Sequence, residues 1–138
     1  MKILLSIALL ALIPLVGAAP RTTAPQDAEV YFIAPQDGQT VTSPVTVKFG
    51  LKGMGVAPAG TQNAHTGHHH LLIDLDTLPA MDQPLPSNDH VMHFGGGQTE
   101  TSLSLSPGEH TLQLLVGDAL HVPFDPPVIS ETITITVK

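Results

Sequence analysis

The segment Gly67-His68-His69-His70-Leu71-Leu72-Ile73-Asp74 carries three consecutive imidazoles into an apolar run. Side chains alternate along a strand, so His68, His70, Leu72 and Asp74 are predicted to share one face, with His69, Leu71 and Ile73 on the other. Two imidazoles on one strand face can converge on a single ion through metal–nitrogen bonds of about 2.0–2.1 Å. The chain holds eight histidines, and a third ligand is available from His121, His93 or His90; spacing leaves the choice open. His121 leads, because Gly117-Asp118 supplies a turn that can return it to the same end of the sheet, and His93 comes next. Imidazole nitrogen suits Cu(II) or Zn(II), and Met54, Met81 and Met92 add thioethers that would suit Cu(I). Copper is the leading metal and zinc the alternative. Asp74 or Asp118 is placed to orient a ring by accepting its second N–H. Because imidazole binds metal only when neutral, affinity is predicted to fall as the pH drops through about 6.5.

Composition narrows the field. Twelve acidic residues against five basic ones give a formal charge of −7, which disfavours nucleic acid and anionic lipid as partners, since both demand basic patches. There is no cysteine, so disulfides, thiolate metal sites, a nucleophilic thiol and a lipidated cysteine are excluded. Lys2, the apolar run Ile3–Val16 and the small residues Gly17, Ala18 and Ala19 form the three parts of a secretory signal peptide. Cleavage is predicted after Ala18. The apolar run is shorter than the roughly 20 residues that cross a bilayer, and Pro14 interrupts it, so a membrane anchor is the weaker reading. The predicted destination is the periplasm or the exterior.

The elements that must position the histidines are strands. Residues 19–28 are small, polar and proline-containing, and read as a flexible lead-in. From Glu29, β-branched runs alternate with turn clusters: Val30–Ala34, Val45–Leu51, His69–Asp74, Thr101–Ser106, His110–Val116 and Ile129–Val137. No helical period follows the signal peptide. One domain over 29–138 is predicted, an antiparallel β-sandwich of immunoglobulin-like type. The corner Leu105-Ser106-Pro107-Gly108-Glu109-His110 resembles one in which a tyrosine is usual, which makes His110 a structural residue bonded to nearby backbone. The connection from Asp74 to Glu100 is longer than a simple turn, and its His90, Met92, His93 and Phe94 favour a functional loop.

Taken in order, GHHHLLID (67–74), HFGGGQTE (93–100), PGEHTLQLLVGD (107–118) and His121-Val122-Pro123 resemble an uncharacterised family of small exported bacterial proteins, the domain-of-unknown-function family 4399. The resemblance runs from about Glu29 to Val137. It implies export and supplies no activity.

The leading reading is a periplasmic metal-binding protein that stores, delivers or buffers copper through His68, His70, His121 and His93, and hands it to a periplasmic metal-accepting protein. The competing reading is an immunoglobulin-like module that is structural or binds protein, without metal. An enzyme is the weakest reading. No G-x-S-x-G or H-E-x-x-H is present, although a metal-dependent hydrolase using Asp74, Asp89 or Asp118 as base stays open.

Overall fold

The computed structural model describes residues 20–138; the predicted signal peptide, residues 1–18, and its predicted cleavage point lie outside the described residues. Every regular element among the described residues is a strand: β1 (Glu29–Ala34), β2 (Thr40–Val41), β3 (Val45–Lys52), β4 (Gly55–Val56), β5 (Thr66–Ile73), β6 (Val91–His93), β7 (Glu100–Leu103), β8 (Gly108–Gly117) and β9 (Ile133–Val137). They form two sheets. One runs β1-β3-β7, and the other β2-β9-β8-β5-β4 with β6 also paired to β5. The alternating residues of both sheets supply one apolar cluster. Val30, Val47, Phe49 and Leu103 come from the first sheet, and Leu71, Ile73, Leu112, Leu114 and Ile135 from the second.

The pairing is mixed rather than purely antiparallel, because the two-residue strands β2 and β4 lie parallel to β9 and β5. β9 is also shorter than the Ile129–Val137 run. At Ser130 the side chain takes over the ladder, its Oγ accepting from the Leu114 amide at 2.9 Å and donating to the Glu131 carbonyl at 2.8 Å.

β5 is the strand that matters for the site, and it is buried on both faces. Leu71 and Ile73 enter the core between the sheets, whereas Leu72 joins a second cluster with Leu85, Val91 and Leu115 beneath the long connection after β5. That connection contains β6, so much of its apolar content goes into covering the outer face of β5.

Asp74 departs from the predicted face. Its backbone turns into the left-handed region, at φ 52°, and its carboxylate leaves the histidines. One oxygen accepts from the Thr111 amide at 2.8 Å and the other from His110 Nδ1 at 2.7 Å. His110 Nε2 donates to the Ser106 carbonyl at 2.8 Å, the corner role read from the sequence. With both ring nitrogens donating, the Asp74 carboxylate first and the Ser106 carbonyl second raise its pKa above the ordinary histidine value.

His69 lies within the core, fully buried, with its ring 5.0 Å from that of Phe49. Neither ring nitrogen has a partner among the described residues. Burial pushes its pKa down to about 4, and the Gly50 backbone opposes the shift without reaching hydrogen-bond geometry. An unpartnered buried polar group costs about 1–3 kcal/mol, whereas a swap of similar volume costs less than about 1.5. His69→Leu is therefore expected to stabilise the protein by about 1 kcal/mol at pH 7.5, measured by denaturant unfolding. A destabilised variant would show that the ring has a partner in solution.

Candidate metal centre

His68 and His70 stand on the outer face of β5, two residues apart, with ring centroids separated by 4.6 Å. Both are fully buried. The neighbouring strands are shaped around them. Gly117 of β8 is the partner of His68, and a Cβ there would come within 2.6 Å of His70 Cε1. Only glycine leaves room for that ring. On the other side His93 of β6 is the register partner of His70, and their rings lie 4.4 Å apart.

His121 arrives by a loop rather than a strand. Beyond β8 the chain folds on Asp118, whose Oδ1 accepts from the amides of Leu120 at 2.9 Å and Val122 at 3.0 Å. The Asp118 amide donates to the Val122 carbonyl, and the His121 amide to the Asp118 carbonyl. His121 itself sits at φ 65°, a region that few non-glycine residues adopt, though histidine is among those enriched there. This conformation brings His121 Nδ1 to 2.9 Å from His68 Nε2 and 3.4 Å from His70 Nε2.

The ligating nitrogens of His68, His70 and His121 all lie within 4.8 Å of one another. For metal–nitrogen bonds of about 2.0–2.1 Å, ligand nitrogens stand about 2.9 Å apart at a right angle and about 3.4 Å apart at a tetrahedral angle. The observed 2.9 and 3.4 Å fit both. His93 is beside the set, its ring 4.7 Å from that of His121, with Nε2 donating to the Pro86 carbonyl at 2.8 Å. A ring held that way keeps Nδ1 bare, which is the arrangement metal-binding histidines commonly show.

The electrostatics keep these rings neutral. Burial, and then His121 and His93, push His68 down to about 4, with Asp118 opposing. Burial, and then His68, His93 and His121, push His70 down to about 2. His121 is lowered too, by burial first and His93 second. Each neutral imidazole has one lone pair and one N–H, and three of their nitrogens crowd one point, with His68 and His121 at hydrogen-bond distance. A hydrogen bond between two imidazoles needs one bare and one protonated nitrogen. Three nitrogens at one point therefore cannot satisfy one another fully, whereas a cation accepts all three lone pairs.

Other residues singled out in the sequence lie elsewhere. His90 Nδ1 donates to the Ile73 carbonyl at 2.8 Å and closes the end of β5. Asp74 is engaged by His110, and Asp118 shapes the His121 loop through backbone amides instead of bonding a ring. Met54 and Met92 pack against the main core and Met81 against the smaller cluster, so the thioethers are used in packing.

Sequence reasoning also missed contributors. The sequence marks Gly117 only as part of a turn, and the amide of Leu85, which donates to the His121 carbonyl at 2.9 Å, carries no side-chain signal. Within residues 19–28, read as a flexible lead-in, Arg21 to Ala24 are instead tied to the far end of the His121 loop. The Asp125 amide donates to the Thr22 carbonyl at 2.9 Å, and the Ala24 amide to the Asp125 carbonyl at 3.0 Å. Backbone pairing of this kind leaves no compositional trace.

Residues 47–138 match the family model described as Domain of unknown function (DUF4399). The matched span takes in all four clustered histidines. No curated protein and no solved structure matches the chain.

Proposed function

We propose, for a chain that belongs to the DUF4399 family, that His68, His70 and His121 hold one divalent metal ion, with His93 as the fourth ligand. The convergence of three neutral ring nitrogens within 4.8 Å carries this reading. Copper(II) is the proposed metal and zinc(II) the alternative. An all-imidazole set suits both, and the packing of the methionines argues against a thioether site for Cu(I).

The proposed role is storage, buffering or delivery in the periplasm, after export directed by residues 1–18. No helix among the described residues is long and apolar enough to cross a membrane. Two ligands are fully buried while His93 and His121 are only half-buried, so one side of the site faces outward, toward a metal-accepting protein. Carriage is favoured over catalysis because two of the three carboxylates considered as bases, Asp74 and Asp118, are engaged in structural hydrogen bonds. The immunoglobulin-like assignment of the two sheets belongs to the same proposal, and is supported by the His110 corner.

Titration of metal-free mature protein with Cu(II) and with Zn(II) tests the reading. The expected result is saturation at one equivalent, with nitrogen hyperfine structure from at least three imidazoles in the Cu(II) electron paramagnetic resonance spectrum. Weak binding without a defined stoichiometry would leave the immunoglobulin-like module without metal as the better account.

A further inference from the structure

The loop that carries His121 has little apolar anchoring of its own near the ligand. Leu120 is 65% exposed, His121 and Val122 are half-buried, and the His121 backbone is in the left-handed region. Something must hold it in register with β5. Inside the fold, Phe124 is fully buried in the core, and the amides of Leu85 and Gly60 donate to the carbonyls of His121 at 2.9 Å and Ala119 at 2.8 Å. Outside it lies the segment after the predicted cleavage point.

Arg21 is the centre of that outer contact. Its side chain is only 18% exposed. Nε donates to the Pro123 carbonyl at 3.1 Å, Nη2 donates to the Phe124 carbonyl, and Nη1 lies 3.5 Å from the Asp125 carboxylate. Thr22 Oγ1 donates to Asp118 Oδ2 at 2.7 Å, the oxygen that the loop's own amides leave free. Residues 22–24 then pair with Asp125 through backbone hydrogen bonds. Both ends of the 118–125 segment are thus held by the same short stretch of chain, while His121 lies between them.

We propose that Arg21 and Thr22 are positioning residues for the metal site: the amino-terminal segment is a strap that fixes His121 through Asp118 and Pro123–Asp125. The consequence for metal rests on the metal reading above, whereas the holding of the loop does not. A planar guanidinium reaching three consecutive residues matches this task better than a point charge, because its donors are fixed in a fork. Arg21→Lys should therefore restore function only in part.

Two readouts on the mature chain test the strap. In metal-free protein, Arg21→Ala and Thr22→Val should each speed amide exchange at Leu120 and Val122 about tenfold, while Leu112 and Leu114 in β8 keep their wild-type rates. In the Cu(II)-loaded protein both variants should weaken binding by about tenfold or more, as loss of outer partners does, and remove one imidazole from the paramagnetic resonance spectrum. On a His121→Ala background, Arg21→Ala should cost no further affinity, since both changes act through one ligand. Unchanged exchange at Leu120 and Val122 overturns the strap, and so does faster exchange with unchanged Cu(II) affinity and spectrum. Additive losses in the double variant overturn it as well. Wild-type protein that takes no Cu(II) overturns the metal reading, and the exchange rates then decide by themselves whether the strap holds the loop.

Discussion

Cu(II) is expected to bind the His68→Ala, His70→Ala double variant at least about a thousandfold more weakly than wild type, with Zn(II) affected in the same sense. Loss of an outer hydrogen-bond partner alone costs about 10–100-fold in metal affinity, and here two of the three converging ligands are removed. What is left is His121, half-buried, with His93 beside it. The variant's fold is the necessary control. Each alanine opens space in a site that is fully buried, yet each also removes an Nδ1 that has no partner among the described residues. His68→Leu, His70→Leu keeps the volume and removes the nitrogens, so it should fold at least as stably as wild type at pH 7.5 and still fail to bind. Isothermal titration together with far-ultraviolet circular dichroism reads both properties. Either variant, folded and binding with wild-type affinity, would place the metal elsewhere.

The histidine face of β5 was legible because strand alternation needs no tertiary information. His68 and His70 share a face, and His69 faces the core, as a period of two requires. Alternation failed one residue later. Asp74 lies just past the strand, in a left-handed turn, and a pattern carried beyond the end of an element has no force. His121, 53 residues from His68, was reachable only because Gly117-Asp118 signalled a turn at the end of a late strand. The sequence did not show that β8 pairs directly with β5 and so places that turn over the histidines.

The amino-terminal segment illustrates a different limit. Small polar residues and prolines read as a mobile lead-in, since nothing in them predicts burial. The binding of Arg21 to backbone carbonyls depends on where residues 123–125 lie, and bonds from side chain to backbone have no periodicity. The extent of β9 was overread for a related reason. The β-branched run is continuous in sequence, but Ser130 breaks the ladder by supplying its own hydroxyl.

Metal-free protein is expected to lose stability steeply as the pH falls below about 6.5. His68, His69 and His70 are lowered in the folded state to about 4, about 4 and about 2, while unfolded they titrate near 6.5. Below pH 6.5 the unfolded chain takes up protons that the folded chain refuses, so the stability these rings contribute is complete above that pH and is lost as it falls. Each proton contributes a slope of about 1.4 kcal/mol per pH unit. Three rings give at most roughly 4 kcal/mol per unit between about pH 6 and pH 4, against a typical total of about 5–15 kcal/mol. His110 has the opposite sign: its pKa is raised, so its contribution is present below 6.5 and disappears as the pH rises through its folded value. Below 6.5 it is protonated in both states and leaves the slope unchanged. Denaturant unfolding at pH 7.5, 6.0 and 5.0, followed by circular dichroism, measures the slope, and His69→Leu should reduce it by about a third. The same shifts correct the simple expectation that metal affinity falls through pH 6.5. In the folded protein His68 and His70 stay bare well below that pH, so bound metal should persist until the fold itself gives way, and should move acid unfolding to lower pH. A metal-free protein equally stable at pH 7.5 and 5.0 would show that these rings are already protonated or solvated in the native state, and with that the case for three neutral rings converging on one ion would fall.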